Sequence, residues 1–557
     1  MAPYLGTSFA ANESSSITDK HTTTVTTTSD AEMSLSSQRA LRVLSQRPTP
    51  IDKYLYLSSL KATNPSLFFR LLIDNFEQLM PLVYTPTIGD VCLQYSTLFT
   101  RPEALYIPIT QRNSIKEILR SWTGNPSICV VTDGSRILGL GDLGVNGVGI
   151  SIGKLALYTA AAGIPPDQTL PIVLDYGTEN ADNLADPLYL GLRQHRVPKE
   201  DAQLFMDQFM DAVREVYPSM LVQFEDFETE KAFGYLERYK DRRCFNDDIQ
   251  GTGAVVLAGY MAGVKLSGVP VDEQRIVFMG AGSAGVGVAK QVLEYYTREP
   301  HNLSEEEAKK KFFLVDTKGL VTADRGDRLA EHKKYFARSD LGGRQCRTLE
   351  EVIEFVKPSA LIGLAATGGI FTEEIVRSLT SNVTAGAGGA TRRPILFPLS
   401  NPTTKAECTF AQAIEWTDGK AIFASGSPFP AYTPSTPVGD HKTYYPNQGN
   451  NVYVFPGLGM GAILAKADKV TDDMVYASAA ALCDSLTQEE VDVGLIYPRI
   501  ERVRQASVEV AREVMKMARR DGVDGKGVWR EEWKDDNKLE EWIRAQVYDP
   551  LVGEVKL

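Results

Sequence analysis

The stretch RIVFMGAGSAGVGVAKQV, residues 275–292, decides the fold class. A short apolar run enters a turn with glycines at positions 280, 282 and 285, and a helical pattern leaves it. The next apolar run, FFLVD, ends in Asp316. Strand, tight turn, helix, strand is the βαβ unit of a dinucleotide-binding fold. Gly280, Gly282 and Gly285 let the backbone approach a pyrophosphate at the helix N-terminus, and Asp316 stands where an acid meets a ribose hydroxyl. The gap between loop and acid exceeds the usual spacing because HNLSEEEAKKK is inserted there.

Working outward, the same rhythm recurs. ALIGLAA, ILFPLSN and AIFASGS follow on the C-terminal side, while SICVVTDG, LPIVLDYG and MLVQFED precede it, each trailed by a helical stretch. Alternation of this kind predicts α/β units with parallel sheets. Before them QRALRVLSQ, IDKYLYLSSLK and PSLFFRLLIDNFEQLM repeat apolar residues at helical steps, and after about Thr471 the chain turns helical again. The expected organisation is a Ser/Thr-rich tail over 1–38, a helical and α/β domain over 39–258, a Rossmann-like domain over 259–520 and a helical tail over 521–557. A second GxGxxG, Gly139, Gly141 and Gly144 in ILGLGDLG, lacks a clean strand running into it and reads as a tight loop between two elements.

Composition narrows the function. A chain of 557 residues exceeds one ordinary core. A net charge of −12 argues against a nucleic-acid partner, and no apolar run is long enough for a membrane span. Six scattered cysteines without a CxxC pair read as reduced thiols, and the five histidines form no zinc spacing. Residues 1–38 are poor in large apolar residues, and disorder is the plain reading. They carry Glu13, Asp19, Asp30 and Glu32 and no arginine, unlike a mitochondrial leader, so a cytoplasmic location is expected.

Two acidic pairs stand at the ends of buried-looking runs: Glu225 and Asp226 in MLVQFED, Asp247 and Asp248 in CFNDDIQGTG. Strand ends open onto the ligand crevice of an α/β domain, and a set of carboxylates with room for substrate suits Mg²⁺ or Mn²⁺. Isolated acidic pairs are ordinary solvated surface, so spacing alone supports this only in part.

Together with VYTPTIGDVC, GSRILGLGDLGVNGVGISIGKLALY, LVDTKGL, FPLSNPT, FASGSPF and QGNNVYVFPG, in this order, these segments resemble the malic enzyme family. The resemblance implies oxidative decarboxylation of L-malate to pyruvate with a divalent metal and a nicotinamide dinucleotide. It implies Tyr84 as general acid, Lys154 as general base and Asp247 as the residue orienting that lysine. Arg136, Asn401 and Asn450 would hold the substrate, with Asn401 also toward the nicotinamide, and Glu225, Asp226 and Asp248 would be the metal ligands. Asp316 alone would favour NAD, but Thr317 and Lys318, then Lys333 and Lys334, resemble the NADP-dependent members, so NADP is expected, with NAD the alternative. Family GTAFT-like and GLLPP-like stretches are missing here. A homo-oligomer is expected, tetramer or dimer being left open. A malolactic enzyme, without net cofactor reduction, and a non-catalytic dinucleotide-binding regulator are the competing readings.

Overall fold

The computed structural model describes residues 30–384, 392–434 and 442–550. Most of the expected N-terminal tail therefore lies outside the described residues. Its last part is corrected: a helix spans Asp30–Ser45, so residues 30–38 are helical. Their Ser-rich composition suggested otherwise, but the helix runs on into Arg39–Ser45, where Ala40 and Leu44 are buried in the core.

Helices Pro50–Thr63, Pro65–Asp74, Phe76–Val83 and Thr87–Leu98 open the first unit, two of them with proline in the first turn, where its missing N–H costs nothing. Five strands follow: β1 Leu105–Pro108, β2 Ile128–Thr132, β3 Thr169–Asp175, β4 Leu221–Phe224 and β5 Cys244–Asn246. They form one parallel sheet in the order β1-β3-β2-β4-β5. The chain goes from β2 to one side and returns to the other, so the strand order reverses between β2 and β4.

The second sheet has seven strands: β6 Ile276–Met279, β7 Phe312–Asp316, β8 Gly319–Leu320, β9 Ala360–Gly363, β10 Ile395–Pro398, β11 Ile422–Ser425 and β12 Asn447–Gln448. Their order is β12-β11-β10-β9-β6-β7-β8, parallel except for β7 with β8. Here the reversal falls between β6 and β9. Every residue of β6 is buried, and each such Ile, Val, Phe or Met contributes about 1.5–3 kcal/mol. Continuous apolar runs, rather than alternating ones, are what a sheet covered on both faces requires.

One core runs through both units, from Ala40 to Tyr548, while separate clusters cover the far face of each sheet. Helix Thr252–Ser267 passes from the first sheet to the second and is buried almost throughout. Helices Phe455–Leu464 and Val503–Arg520 close the same core, and Arg504 donates to the Ala160 carbonyl at 2.7 Å, tying the C-terminal helices to the first unit. Among the described residues no helix is long and apolar enough to cross a membrane.

Candidate active site

At the reversal point of the first sheet, the segment after β4 meets the loop after β2. Asp226 has a left-handed backbone, φ 55°, which turns its side chain back toward that loop. Its Oδ2 accepts from Leu138 N at 3.1 Å and its carbonyl from Arg136 N at 3.3 Å. Asp226 N donates to Asp248 Oδ2 at 2.7 Å. Ligand atoms of Glu225, Asp226 and Asp248 all lie within 4.8 Å of one another, the one such acidic group among the described residues. Burial, with repulsion among the carboxylates, drives Glu225 and Asp226 well above the usual carboxylate range and Asp248 up to about 6. Two buried carboxylates and a half-buried one in this proximity are costly unless a cation joins them, and an all-oxygen donor set suits a hard divalent ion. The three residues fit a metal of the Mg²⁺ or Mn²⁺ class.

Behind the cluster lies Lys154, on helix Val148–Leu157, with 1% of its side chain exposed. Its Nζ donates to Asp247 Oδ2 and stands 3.2 Å from Glu225 Oε1. The Phe455 ring lies 4.2 Å from Nζ and the Tyr84 ring 5.3 Å. Burial lowers the lysine pKa, but Asp247 and Glu225 outweigh it and hold it well above its ordinary value. Lys154 is thus held as an ammonium while both carboxylates face it. Tyr84, at the end of helix Phe76–Val83, is buried, and desolvation raises its phenol well above the normal range despite the nearby Lys154.

Asp247 is fully buried; Oδ2 also accepts from Asn451 Nδ2 at 3.0 Å, and Oδ1 has no hydrogen-bond partner among the described residues. A Cβ at Gly251 would lie 1.9 Å from that Oδ1, so the carboxylate has its place only because residue 251 has no side chain. Of the two asparagines in QGNNVY, Asn450 accepts from Val452 N at 3.0 Å as the cap of a short turn. It is Asn451 that reaches Asp247 and Thr252. Arg136 is exposed, donates to Thr229 Oγ1, and its charge acts on both Asp226 and Asp248. Asn401, after β10, is exposed and accepts from Ser427 Oγ at 2.6 Å. A Cβ at Gly139 would lie 3.7 Å from Pro402, so the loop after β2 and the loop after β10 meet across one cleft.

Several supporting residues carried no sequence signal. Gln223 donates to Glu225 Oε2 at 2.8 Å and accepts from Tyr158, fixing the carboxylate from inside the core. Arg196 pairs with Asp142 at 2.7 Å and lies 3.5 Å from Asp133, holding the loop that carries Arg136 at both ends. A buried glutamine or tyrosine inside an apolar run looks like packing until its partner is known.

At the second reversal point the loop after β6 presents the helix Ser283–Thr297. Gly282 is its N-cap and offers no side-chain hydrogen bond, leaving the first N–H groups for an anion. A Cβ at Gly280, φ 118°, would meet Leu364 O at 2.5 Å, and one at Gly285 would meet Gly280 O at 2.0 Å, whereas Gly282 has nothing within 4 Å. Tight turn, open approach and close helix packing are the three requirements of a pyrophosphate loop. Asp316 pairs with Arg325 at 2.9 Å and Lys333 at 2.7 Å and accepts from Lys318 N at 2.8 Å. Burial would raise this carboxyl, but those partners hold it below the usual range. The Lys318 side chain is exposed, Lys334 is paired with Glu331 at 2.5 Å on the surface, and Lys333 and the unforeseen Arg325 both pair with Asp316.

Comparison with known proteins agrees with this arrangement. The family models "malic enzyme, N-terminal domain" and "malic enzyme, NAD binding domain" match residues 61–240 and 249–519. The chain is 42% identical over 489 residues to the NADP-dependent malic enzyme of Dictyostelium discoideum, covering 87% of each chain. Against the NADP-dependent malic enzyme of Homo sapiens it is 43% identical, over 84% of this chain and 79% of that one. The crystal structure of the Entamoeba histolytica malic enzyme shares the fold, with TM-score 0.54 and 22% identity, over 84% of this chain and 81% of that one. These matches span both sheets and the cleft between them, and the chain belongs to the malic enzyme family.

Proposed function

We propose that the protein oxidises and decarboxylates L-malate to pyruvate and CO₂ with reduction of NADP, dependent on Mg²⁺ or Mn²⁺. The single observation that carries this reading is the pairing of a three-carboxylate centre, backed by Lys154 and Tyr84, with a pyrophosphate loop across one cleft. Relatives named NADP-dependent malic enzymes support the cofactor. Lys333 and Arg325, both paired with Asp316 here, would offer a 2′-phosphate two cationic partners, with Lys318 and Lys334 the further lysines of the same segment, and a ribose hydroxyl does not need them.

Glu225, Asp226 and Asp248 would hold the cation. When bound, it supplies positive charge to polarise the C2 oxygen and to accept the charge that develops as CO₂ leaves. Arg136 clasps a substrate carboxylate through its forked donors, Asn401 and Asn450 offer amides toward the substrate and nicotinamide, and Asn451 holds Asp247 beside them. Lys154 takes the C2 hydroxyl proton; it can do so only when the charge of Glu225 is engaged elsewhere, because two carboxylates otherwise keep it protonated. Asp247, held by Lys154 and Asn451, orients the ammonium. Tyr84 delivers the closing proton to C3. Its raised pKa keeps it a proton donor at neutral pH. The proposed domains, 39–258 and 259–520, divide within helix Thr252–Ser267, and assembly as a homo-oligomer is part of the same reading. The test is turnover with L-malate, Mn²⁺ and NADP, scored for pyruvate, CO₂ and reduced cofactor together. Lactate without reduced cofactor would make it a malolactic enzyme instead.

A further inference from the structure

Another buried carboxylate lies away from the acidic centre, and among the described residues no cation pairs with it. Glu407 is fully buried. Its Oε1 accepts from Ser400 Oγ and from Ala365 N at 3.2 Å, and its Oε2 from Ser400 N at 3.3 Å. Ser400 Oγ in turn accepts from Ala366 N at 2.9 Å. The backbone repeats the link: Phe371 N donates to Glu407 O at 3.0 Å and Gly369 N to Ala406 O at 3.1 Å. A Cβ at Gly363 would stand 2.4 Å from the Glu407 carboxyl carbon, so the end of β9 has room for this carboxylate only because residue 363 has no side chain.

The two loops joined here are those that leave β9 and β10, adjacent parallel strands whose C-terminal ends form the crevice. The first touches the pyrophosphate loop, since Leu364 O is what a Cβ at Gly280 would strike. The second continues from Ser400 directly into Asn401. We propose that Glu407 is a positioning residue: its carboxylate ties the loop after β9 to the loop after β10 and thereby sets the Asn401 amide and the nicotinamide-side wall of the cleft. The inference rests on the dinucleotide reading above. Every group that reaches Glu407 is a donor, so an acceptor-only carboxylate suits the position, and a glutamine amide would set N–H against N–H. Burial raises the Glu407 pKa, and the Ser400 and Ala365 donors oppose it.

E407Q separates positioning from general support when two probes are compared. NADPH fluorescence reads binding of the whole dinucleotide, and 2′,5′-ADP reads the adenosine half alone. E407Q should weaken NADPH about tenfold and lower kcat by a similar factor while leaving 2′,5′-ADP within about twofold, and E407D should recover part of the loss. If E407Q does not fold, S400A removes the shared hydroxyl but leaves the backbone donors, and the same split of about threefold is expected. Equal weakening of both probes, or of neither, would overturn the positioning role. A wild-type protein that binds neither probe would overturn the dinucleotide reading, and this inference with it.

Discussion

Two loops of this chain carry the same glycine spacing, and both stand where the strand order of a sheet reverses. Gly280, Gly282 and Gly285 follow β6 without a gap and run straight into a helix. Gly139, Gly141 and Gly144 come several residues after β2 and lead into a short 3₁₀ turn. The crowding differs more than the spacing. In the second sheet the outer glycines are pressed against backbone and the middle one is open, the pattern of a backbone that a pyrophosphate can approach. In the first sheet the middle glycine, Gly141, is open too, but Gly139 is not pressed against backbone, Gly144 is pressed against Tyr189, and the loop is stapled through Asp142 to Arg196, Thr178 and Asn180. That loop positions side chains, Arg136 above all, and supports Asp226; the other exposes backbone. A glycine motif states where the chain turns, and its surroundings state what the turn is for.

The comparison breaks most visibly at the first sheet's centre. Lys154→Ala should lower kcat by roughly a thousandfold, since proton removal from C2 loses its base; wild-type-like turnover would move the base elsewhere. Asp248→Asn should raise the Mn²⁺ concentration needed for half activity by about a hundredfold, one of three anionic ligands having become neutral. Unchanged activity at low Mn²⁺ would remove Asp248 from the metal site. NADP binding should respond to neither change as strongly as malate turnover does.

At the second sheet the effects shift to the cofactor. Gly282→Val should weaken NADPH about tenfold, because a branched side chain would fill the open approach at the helix N-terminus. Lys333→Gln should raise KM for NADP by roughly 10–100-fold, the cost of about 1.5–3 kcal/mol for a lost charge-assisted contact, with NAD nearly unchanged. Equal effects on both cofactors would show that Lys333 serves Asp316 rather than a phosphate. Smallest is Gly139→Ala, whose added methyl would find its nearest neighbour 3.7 Å away at Pro402. It should change NADPH affinity by less than about twofold; a loss matching that of Gly282→Val would erase the distinction between the loops.

The α/β architecture was legible because parallel strands buried on both faces leave unbroken apolar runs, and FFLVD does end as a strand at Asp316. Glu225, Asp226 and Asp248 converge because two of them directly follow β4 and the third follows β5, its neighbour in the sheet. Other parts depended on geometry that a sequence does not carry. Asn450 and Asn451 are adjacent amides, and only the capping turn shows which one faces the centre. Arg325 precedes Gly326, whose positive φ of 56° bends the turn there, and TADRGD reads as ordinary surface. Residues 30–38 form part of a helix that their composition alone did not announce.

The central claim is that one cleft joins an acidic metal centre to an NADP loop for oxidative decarboxylation. It is tested most directly by incubating the purified protein with L-malate, NADP and Mn²⁺ and following near-ultraviolet absorbance of reduced nicotinamide alongside pyruvate and CO₂. Equal amounts of all three products, abolished by chelating the metal and far slower with NAD, are the predicted result. Pyruvate or lactate without reduced cofactor, or full activity after chelation, would contradict the account.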